Sequence, residues 1–240
     1  MAVTPYQSQE SKKSQVGRMF DRIAPFYDFL NHFLSLGIDI WWRKKAVNHL
    51  KSLSPKYILD VATGTADLSI EAAQTLLPTK IIGVDISQKM LDVGAKKIIE
   101  KNLTNVISLE KGDSEHLRFE TDTFDAVMAA FGVRNFENLQ KGLSEMYRVL
   151  KPGGQIMILE FSQPKGFPLK QLFNVYFKNI LPVIGKIKSK DKDAYKYLYE
   201  SVQQFPSYEA FTKELSTVGF KQSGFKSLTG GICAIYFAIK

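Results

Sequence analysis

Three carboxylates accompany three short apolar segments in the first half of the chain. Asp60, Asp85 and Asp113 each lie near the end of such a segment or just after it. Apolar runs of this length are typical of strands buried on both faces, and parallel strands bring their carboxyl ends to one edge of a sheet. Because open α/β sheets bind small molecules at that edge, the sequence predicts a ligand site that carries three negative charges.

The turn after Asp60 distinguishes between two classes of ligand. Residues 62–66 are small and include Gly64, so the main chain can approach a ligand closely. A dinucleotide-binding turn has the spacing G-x-G-x-x-G, whereas here alanines stand where further glycines would be expected, and Asp60 would repel a pyrophosphate. A cationic adenosine ligand with an amino acid group tolerates these acids better. The sequence therefore predicts S-adenosylmethionine as the ligand.

The candidate cofactor-binding residues match separate parts of that ligand. Asp85 can accept hydrogen bonds from both ribose hydroxyls, a feature shared with NAD-dependent enzymes. Asp113 suits the exocyclic amine of adenine, with a neighbouring backbone N–H for a ring nitrogen. The predicted cofactor-binding residues are Thr63, Asp85, Asp113 and Ser114.

Hydrophobic patterning predicts the elements that position these residues. The predicted strands are 57–61, 80–85, 106–110, 123–130 and 155–161, followed by a hairpin of 219–226 and 232–239. The predicted helices between them end near residue 77 and cover 88–101 and 138–150, with a Lys-Pro-Gly-Gly turn at 151–154. Strands that alternate with helices indicate an α/β fold with a mostly parallel sheet.

The chain is predicted to form one domain with two helical additions. Residues 1–15 are polar and are predicted to be disordered, and residues 16–240 are predicted to form the domain. Helical spacing of apolar residues, interrupted at Pro25, predicts that residues 16–50 are helical. These helices are expected to form a lid over the cofactor, although the pattern also fits helices that only pack on the sheet. Residues 162–205 are expected to form a helical insertion on the substrate side.

Composition excludes several classes of protein. The chain has 240 residues, of which 45% are hydrophobic, enough for one well-filled core. No apolar run approaches the ~20 residues that cross a bilayer, and residues 1–14 lack the apolar core of a secretion signal. The single cysteine, Cys233, excludes an internal disulfide, and the three histidines lack metal-ligand spacing, so no metal site is predicted. The expected location is the cytoplasm.

Taken together, the motifs resemble a known family. The segments around Asp60, Asp85 and Asp113 and the Lys-Pro-Gly-Gly turn resemble motifs of class I S-adenosylmethionine-dependent methyltransferases. From about residue 16 to the C-terminus the chain is more closely similar to the demethylmenaquinone and ubiquinone C-methyltransferases. The segments that carry this similarity are 20–28, 42–43, 131–136, 159–162 and 229–232, and the most specific is Phe131-Gly132-Val133-Arg134-Asn135. Ala130 departs from the family pattern, which often has a serine there, and cannot provide a hydroxyl contact to the cofactor.

The resemblance implies a fold and a reaction. The implied fold is the three-layer, Rossmann-like class I methyltransferase fold, with a seven-stranded, mostly parallel sheet, one antiparallel strand and an N-terminal helical lid. The implied reaction is C-methylation of a polyprenylated naphthoquinol, demethylmenaquinol, with S-adenosylmethionine as methyl donor. The alternatives are a polyprenyl benzoquinol of ubiquinone biosynthesis or another small lipophilic acceptor.

The resemblance also implies catalytic residues. Methylation of a quinol carbon develops negative charge on the neighbouring phenol oxygen, which Arg134 and Asn135 are expected to stabilise. Tyr27, on the helical lid, is expected to orient the ring. Arg134 is too basic to be the main general base, because the pKa of arginine exceeds about 12.

The formal net charge of +8 raises the question of anionic partners. No RNA-binding motif or recognition helix accompanies the charge, so no nucleic acid partner is expected. An apolar stripe with basic flanks at 165–192 predicts either peripheral contact with the inner face of a membrane or packing on the domain itself. A homodimer is compatible with the sequence. A non-catalytic cofactor-binding scaffold is disfavoured, because the three acids occur together with Arg134 and Asn135.

Overall fold

A seven-stranded sheet forms the centre of the protein. The computed structural model describes residues 3–6, 8–175 and 192–240. The strands are β1 (Tyr57–Val61), β2 (Lys80–Asp85), β3 (Ile107–Lys111), β4 (Phe124–Ala130), β5 (Leu150–Phe161), β6 (Lys221–Leu228) and β7 (Cys233–Ile239). Their order is β3-β2-β1-β4-β5-β7-β6, and β7 pairs antiparallel with both of its neighbours. The other pairs are parallel, so the predicted fold class is confirmed.

Helices cover both faces of this sheet. In the described part of the chain they are α1 (Lys12–Ile23), α2 (Tyr27–Leu34), α3 (Ile38–His49), α4 (Asp67–Leu76), α5 (Gln88–Glu100), α6 (Leu139–Val149), α7 (Leu169–Val175), α8 (Lys192–Gln204) and α9 (Glu209–Val218). None of them combines the length and the apolar content that crossing a membrane requires.

The strand side chains explain the three layers. Successive residues of a strand point to opposite faces, and in β1 both Ile58 and Leu59 are fully buried. Leu59 packs in a cluster that includes Leu143 of α6, whereas Ile58 packs in a second cluster that includes Val47 of α3. A sheet that is apolar on both faces needs a helical layer on each side, which the chain supplies.

The N-terminal segment is more ordered than its composition predicts. Helix α1 begins at Lys12, before the predicted boundary at residue 16, and the side chain of Ser11 caps it by accepting a hydrogen bond from the backbone N–H of Ser14. The backbone N–H of Tyr6 donates to the side chain of the buried Gln15 over 2.9 Å. Polar residues of this segment are held by contacts with the domain, which composition does not reveal.

The segment 151–154 combines features of a turn and of a strand. It lies within the bounds of β5, but none of its residues has a register partner in β4, which pairs with Leu150 and then with Gln155, and Gly153 has a φ of +79°. The predicted turn is therefore present as an irregularity within β5. The part of the predicted apolar stripe at 176–191 lies outside the described residues. The predicted interruption at Pro25 is confirmed, because a short 3₁₀ turn, Ala24–Phe26, separates α1 from α2.

The core accounts for much of the stability of this fold. Leu143 is fully buried between α6 and the sheet, and we expect Leu143→Ala to lower the free energy of unfolding by about 2–5 kcal/mol, because it leaves a cavity. Urea unfolding followed by circular dichroism measures this change. The matched control is Leu77→Ala, since Leu77 is 75% exposed, and its expected effect is below about 0.5 kcal/mol. Equal losses in the two variants would contradict the assignment of the core.

Candidate active site

An open cleft of about 660 Å³ lies at the carboxyl ends of the parallel strands. The turns after β1, β2, β3 and β4 form its floor and walls, and α1 and the start of α2 lie across it. The strand side contributes Gly64, Asp85, Asp113, Ser114, Phe131 and Asn135, and the helical side contributes Lys13, Val16, Phe20 and Tyr27. The structure therefore brings together the predicted cofactor residues Asp85, Asp113 and Ser114 with the predicted catalytic residues Tyr27 and Asn135.

Asp85 is the buried acid at the end of β2. One carboxylate oxygen accepts a hydrogen bond from the backbone N–H of Gly64 and the other from that of Ser87, both over 2.8 Å. Gly64 has a φ of +58°, which glycine adopts without steric cost, so the turn can point its N–H at the carboxylate. Burial raises the pKa of Asp85 to about 6. The backbone holds the carboxylate in place while each oxygen keeps a lone pair for a ligand hydroxyl.

Asp60 is buried more deeply, on β1. Its Oδ2 accepts hydrogen bonds from the hydroxyls of Thr63 and Ser69 over 2.6 Å each, and its Oδ1 has no partner. Burial raises the pKa of Asp60 to about 7, and the charge of Asp85 adds to the effect. The hydroxyl of Thr63, a predicted cofactor-binding residue, is therefore bound to Asp60. Thr63 and Asp60 line a second cavity of about 360 Å³, which shares the lining residues Tyr27 and Gly64 with the cleft.

Asp113 differs from the other two acids because it has a basic partner. Its Oδ2 lies 2.7 Å from Nζ of Lys13 and 3.0 Å from Nδ1 of His116, and its Oδ1 accepts from the backbone N–H of Glu115 over 2.9 Å. Partial burial opposes ionisation, but these hydrogen bonds, with Lys13 the strongest, outweigh it and lower the pKa of Asp113. An adenine amine at this position would share the carboxylate with Lys13.

Two lysines fix α1 over the cleft. Nζ of Lys12 donates to the backbone carbonyl of Phe136 over 2.8 Å and to that of Arg134 over 3.3 Å. Nζ of Lys13 bridges Asp113 and Glu115 in the turn after β3. The helix thus spans the cleft as the predicted lid would. Sequence reasoning missed both lysines, because they lie in the segment predicted to be disordered and their partners are about 100 residues away.

Arg134 is held by a buried ion pair. Its Nη1 lies 2.6 Å from Oε1 of Glu160, whose side chain is fully buried, and it also donates to the carbonyl of Phe131. Its backbone N–H donates to Oε2 of the same glutamate over 3.3 Å. Nε of Arg134 is buried and has no partner. Glu160 belongs to a segment that carries the family resemblance, but its function as the partner of Arg134 appears only in the structure.

Asn135 and Tyr27 face the space between these groups. Asn135 follows Arg134 in a short 3₁₀ turn, Val133–Asn135, and its buried Oδ1 has no hydrogen-bond partner. Tyr27 borders both the cleft and the smaller cavity. Burial raises the pKa of Tyr27 to about 12, so its hydroxyl stays protonated and is available as a donor at neutral pH.

A network of ion pairs stabilises the turn after β1 by joining the start of α4 to the neighbouring helices. Nζ of Lys97 binds Asp28 of α2 over 2.7 Å and also contacts Asp67. Nη2 of Arg43 joins Asp67 to Asp39 over 2.8 and 2.6 Å. The N-terminal helices are thereby tied to α4 and α5. Sequence reasoning identified Arg43 only through the resemblance and gave it no role.

Known proteins resemble this chain along most of its length. Residues 8–240 match the family described as the ubiE/COQ5 methyltransferase family. A demethylmenaquinone methyltransferase of Bacteroides fragilis is 50% identical over 238 residues, 99% of this chain and 97% of that protein. A ubiquinone/menaquinone biosynthesis C-methyltransferase, UbiE, of Geotalea daltonii is 45% identical over 226 residues, 94% of this chain and 96% of that protein. The resemblance inferred from the motifs is confirmed.

Solved structures resemble the chain in fold. An S-adenosylmethionine-dependent methyltransferase of Thermotoga maritima superposes with a TM-score of 0.64 at 19% identity, covering 93% of this chain and 99% of that one. At that identity the likeness concerns the fold alone, and it agrees with the class I methyltransferase fold predicted from the sequence.

The residues at the cleft fit S-adenosylmethionine. Oδ1 of Asp60 is buried without a partner, and among the described residues no basic side chain pairs with Asp60 or Asp85. A cationic ligand would therefore meet uncompensated negative charge. The small residues of the turn leave its backbone accessible, and Asp85 retains the acceptor capacity that a ribose requires.

Cofactor binding is expected to depend on pH through Asp85. Its pKa of about 6 means that the carboxylate is ionised above pH 6 and protonated below it. If the ionised form of Asp85 binds, affinity for S-adenosylmethionine falls about tenfold between about pH 7 and pH 5. Protonation of Asp60 over the same range lowers the affinity further. Isothermal titration calorimetry over this range measures the effect.

Two variants sharpen that measurement. Asp85→Asn, which cannot titrate, is expected to bind weakly and to lose the step near pH 6. Asp92→Asn, which changes an exposed acid on α5, is the matched control and should keep the wild-type pH profile. An affinity of the wild-type protein that stays constant from pH 7 to pH 5 would show that Asp85 does not contribute as an anion.

Proposed function

Because the chain belongs to the ubiE/COQ5 methyltransferase family, it is an S-adenosylmethionine-dependent C-methyltransferase, and we propose that its acceptor is a polyprenylated naphthoquinol. In this proposal it converts demethylmenaquinol to menaquinol. The observation that carries it is the full-length similarity to proteins named demethylmenaquinone methyltransferase. The alternative acceptor is a polyprenyl benzoquinol, which is favoured by relatives named for both ubiquinone and menaquinone biosynthesis.

The chemistry requires an activated ring carbon. S-Adenosylmethionine supplies an electrophilic methyl group on a positively charged sulfur. A ring carbon of the quinol becomes nucleophilic when the neighbouring hydroxyl loses its proton. The new carbon–carbon bond then forms as the sulfur–carbon bond breaks, and the ring carbon afterwards loses its hydrogen as a proton. The protein must hold the acceptor in line with the methyl group and stabilise the negative charge on the phenol oxygen.

Arg134, Asn135 and Tyr27 are our candidates for this task. Nη1 of Arg134 is bound to Glu160 and Phe131, whereas its Nε has no protein partner, and we assign Nε to the acceptor oxygen. Asn135 offers a side chain at the cleft, and Tyr27 offers a protonated hydroxyl beside it. Glu160 keeps the guanidinium in place, because moving it would leave a buried carboxylate unpaired.

The positions of the three acids suggest which residue contacts which part of the cofactor. We propose that Asp85 binds the ribose, that Asp113 and Ser114 bind the adenine, and that Thr63 acts by positioning Asp60. The support is that Asp85, Asp113 and Ser114 line one cleft, whereas the hydroxyl of Thr63 donates to Asp60.

A polyprenylated acceptor also requires a route from a membrane. We propose that residues 165–192 make peripheral contact with the inner face of the membrane and that the segment 162–205 lies on the substrate side. The described part of this region offers support, since Phe167 is 85% exposed and Lys165 and Lys170 are exposed near it. A cytoplasmic location and a homodimer belong to the same proposal.

Product identification tests the acceptor. Purified protein is incubated with methyl-labelled S-adenosylmethionine and either reduced demethylmenaquinone or a reduced demethylated benzoquinone. We expect label in menaquinol, identified by mass spectrometry, and a rate with the naphthoquinol about tenfold or more above that with the benzoquinol, because one missing ring contact costs roughly a factor of this size. Label in neither quinol would overturn the proposal, and faster reaction of the benzoquinol would favour the alternative.

Arg134→Lys tests the oxyanion role without leaving Glu160 unpaired. A lysine keeps the positive charge but lacks the Nε–H and the planar arrangement of donors of the guanidinium. We expect kcat to fall about 100-fold while affinity for S-adenosylmethionine stays unchanged, because Arg134 would act on the acceptor. Arg148→Lys is the matched control, since Arg148 is paired with Glu145 away from the cleft. An unchanged kcat in Arg134→Lys would remove Arg134 from this role.

A further inference from the structure

Tyr197 has a buried hydroxyl that no described residue satisfies. The residue lies on α8 and is 2% exposed, and its hydroxyl has no hydrogen-bond partner among the described residues. Leaving a buried hydroxyl unpaired is costly, and native proteins seldom do so without a reason. The unpaired hydroxyl therefore points to a partner other than the described residues of the chain.

Other buried tyrosines of this protein are paired. The hydroxyl of Tyr236 accepts a hydrogen bond from the backbone N–H of Tyr208 over 2.9 Å. The hydroxyl of Tyr208 lies 2.9 Å from the carbonyl oxygens of both Gln163 and Gly231. Tyr197 thus differs from Tyr208 and Tyr236, whose hydroxyls both have hydrogen-bond partners.

The position of Tyr197 connects it to the candidate active site. Its ring belongs to a buried cluster with Val16 and Met19 of α1, and Val16 lines the cleft. Helix α8 also packs against the 3₁₀ turn Val133–Asn135. The helix that carries Tyr197 therefore contacts both the helix that spans the cleft and the turn that carries the candidate catalytic residues.

The turn has two further polar atoms without partners. Nε of Arg134 is a buried donor, and Oδ1 of Asn135 is a buried acceptor. Both side chains are more than nine-tenths buried, as is that of Tyr197. Two adjacent elements thus present two donors and one acceptor. A hydroxylated aromatic ring matches this set, because an ionised oxygen accepts from two donors and a hydroxyl donates to the amide oxygen.

Electrostatics keeps the tyrosine in the donating form. Burial raises the pKa of Tyr197, and the positive charge of Arg134 and the negative charge of Glu160 act on it in opposite directions. The hydroxyl therefore keeps its proton at neutral pH and serves as a donor.

We propose that Tyr197 is a catalytic residue that donates a hydrogen bond to the phenolate oxygen of the acceptor, together with Nε of Arg134. This inference rests on the proposed function, since it requires an acceptor ring with an ionisable hydroxyl. The hydroxyl of Tyr197 keeps its proton throughout. Its contribution is to stabilise the charge that makes the neighbouring ring carbon nucleophilic.

The test is Tyr197→Phe, which removes only the hydroxyl. We expect kcat for the reduced demethylmenaquinone to fall about 100-fold, as for other donors to an oxyanion. Affinity for S-adenosylmethionine, measured by calorimetry, should stay within about twofold, and the melting temperature should not fall, because no protein hydrogen bond is lost. The acidic limb of the pH profile of kcat should move to higher pH, since the bound phenol loses a donor that favours its ionisation.

Tyr236→Phe is the matched control. It removes a hydroxyl that the structure shows bound to the backbone of Tyr208, so it should lower the melting temperature and leave kcat unchanged. If Tyr197→Phe instead keeps the wild-type kcat and pH profile, the hydroxyl has no catalytic role, and a buried water is its partner. If the wild-type protein methylates neither quinol, the proposed function fails first, and the inference fails with it.

Discussion

Two buried carboxylates without basic partners set the character of this site. Asp60 and Asp85 lie at the ends of neighbouring parallel strands, where hydroxyls and backbone N–H groups hold them. Raising the pKa of Asp60 from 3.8 to about 7 corresponds to roughly 4 kcal/mol of unfavourable environment for the charged form. In the assignment proposed above, the positive charge of the cofactor would offset this cost, and burial that is unfavourable in the free protein would favour a cationic ligand.

The charges on the acceptor side follow a different arrangement. Arg134 is neutralised by Glu160, and the pair is almost completely withdrawn from water. A free guanidinium would bind many anions, whereas a paired one keeps a fixed orientation and exposes only the N–H groups that its partner leaves. The site therefore combines unpaired acids for the cofactor with a paired cation for the acceptor. This division suits a reaction that brings a sulfonium and a phenolate together.

The N-terminal helices connect the two halves of the site. Lys12 binds the carbonyl of Phe136 after β4, and Lys13 binds Asp113 after β3, so α1 is anchored to the turns after two different strands. Lys97 and Arg43 tie the following helices to the turn after β1 through Asp28 and Asp67. Helix α8 meets α1 through Tyr197 and the 3₁₀ turn through its own packing. The N-terminal helices, α8 and the turns after β1, β3 and β4 are consequently connected to one another.

The sequence by itself determined the fold and the place of the site. The period of apolar residues is a local property, and it specified the strands, the helices and the edge where Asp60, Asp85 and Asp113 meet. Local patterns predicted the turn at residues 151–154 but not its place inside a strand. The turn is an irregularity within β5, because the register with β4 passes from Leu150 directly to Gln155.

Only the tertiary structure decided which partners the site residues have. Thr63 binds Asp60 three residues away, but Lys12 reaches the carbonyl of Phe136 across 124 positions, and no local pattern encodes such a contact. The pairing of Arg134 with Glu160 and the unpaired hydroxyl of Tyr197 likewise depend on how separate elements pack. Residue type and spacing can therefore identify the chemistry of a site, whereas hydrogen-bond partners and pKa values arise from burial and distance, which exist only in the folded chain.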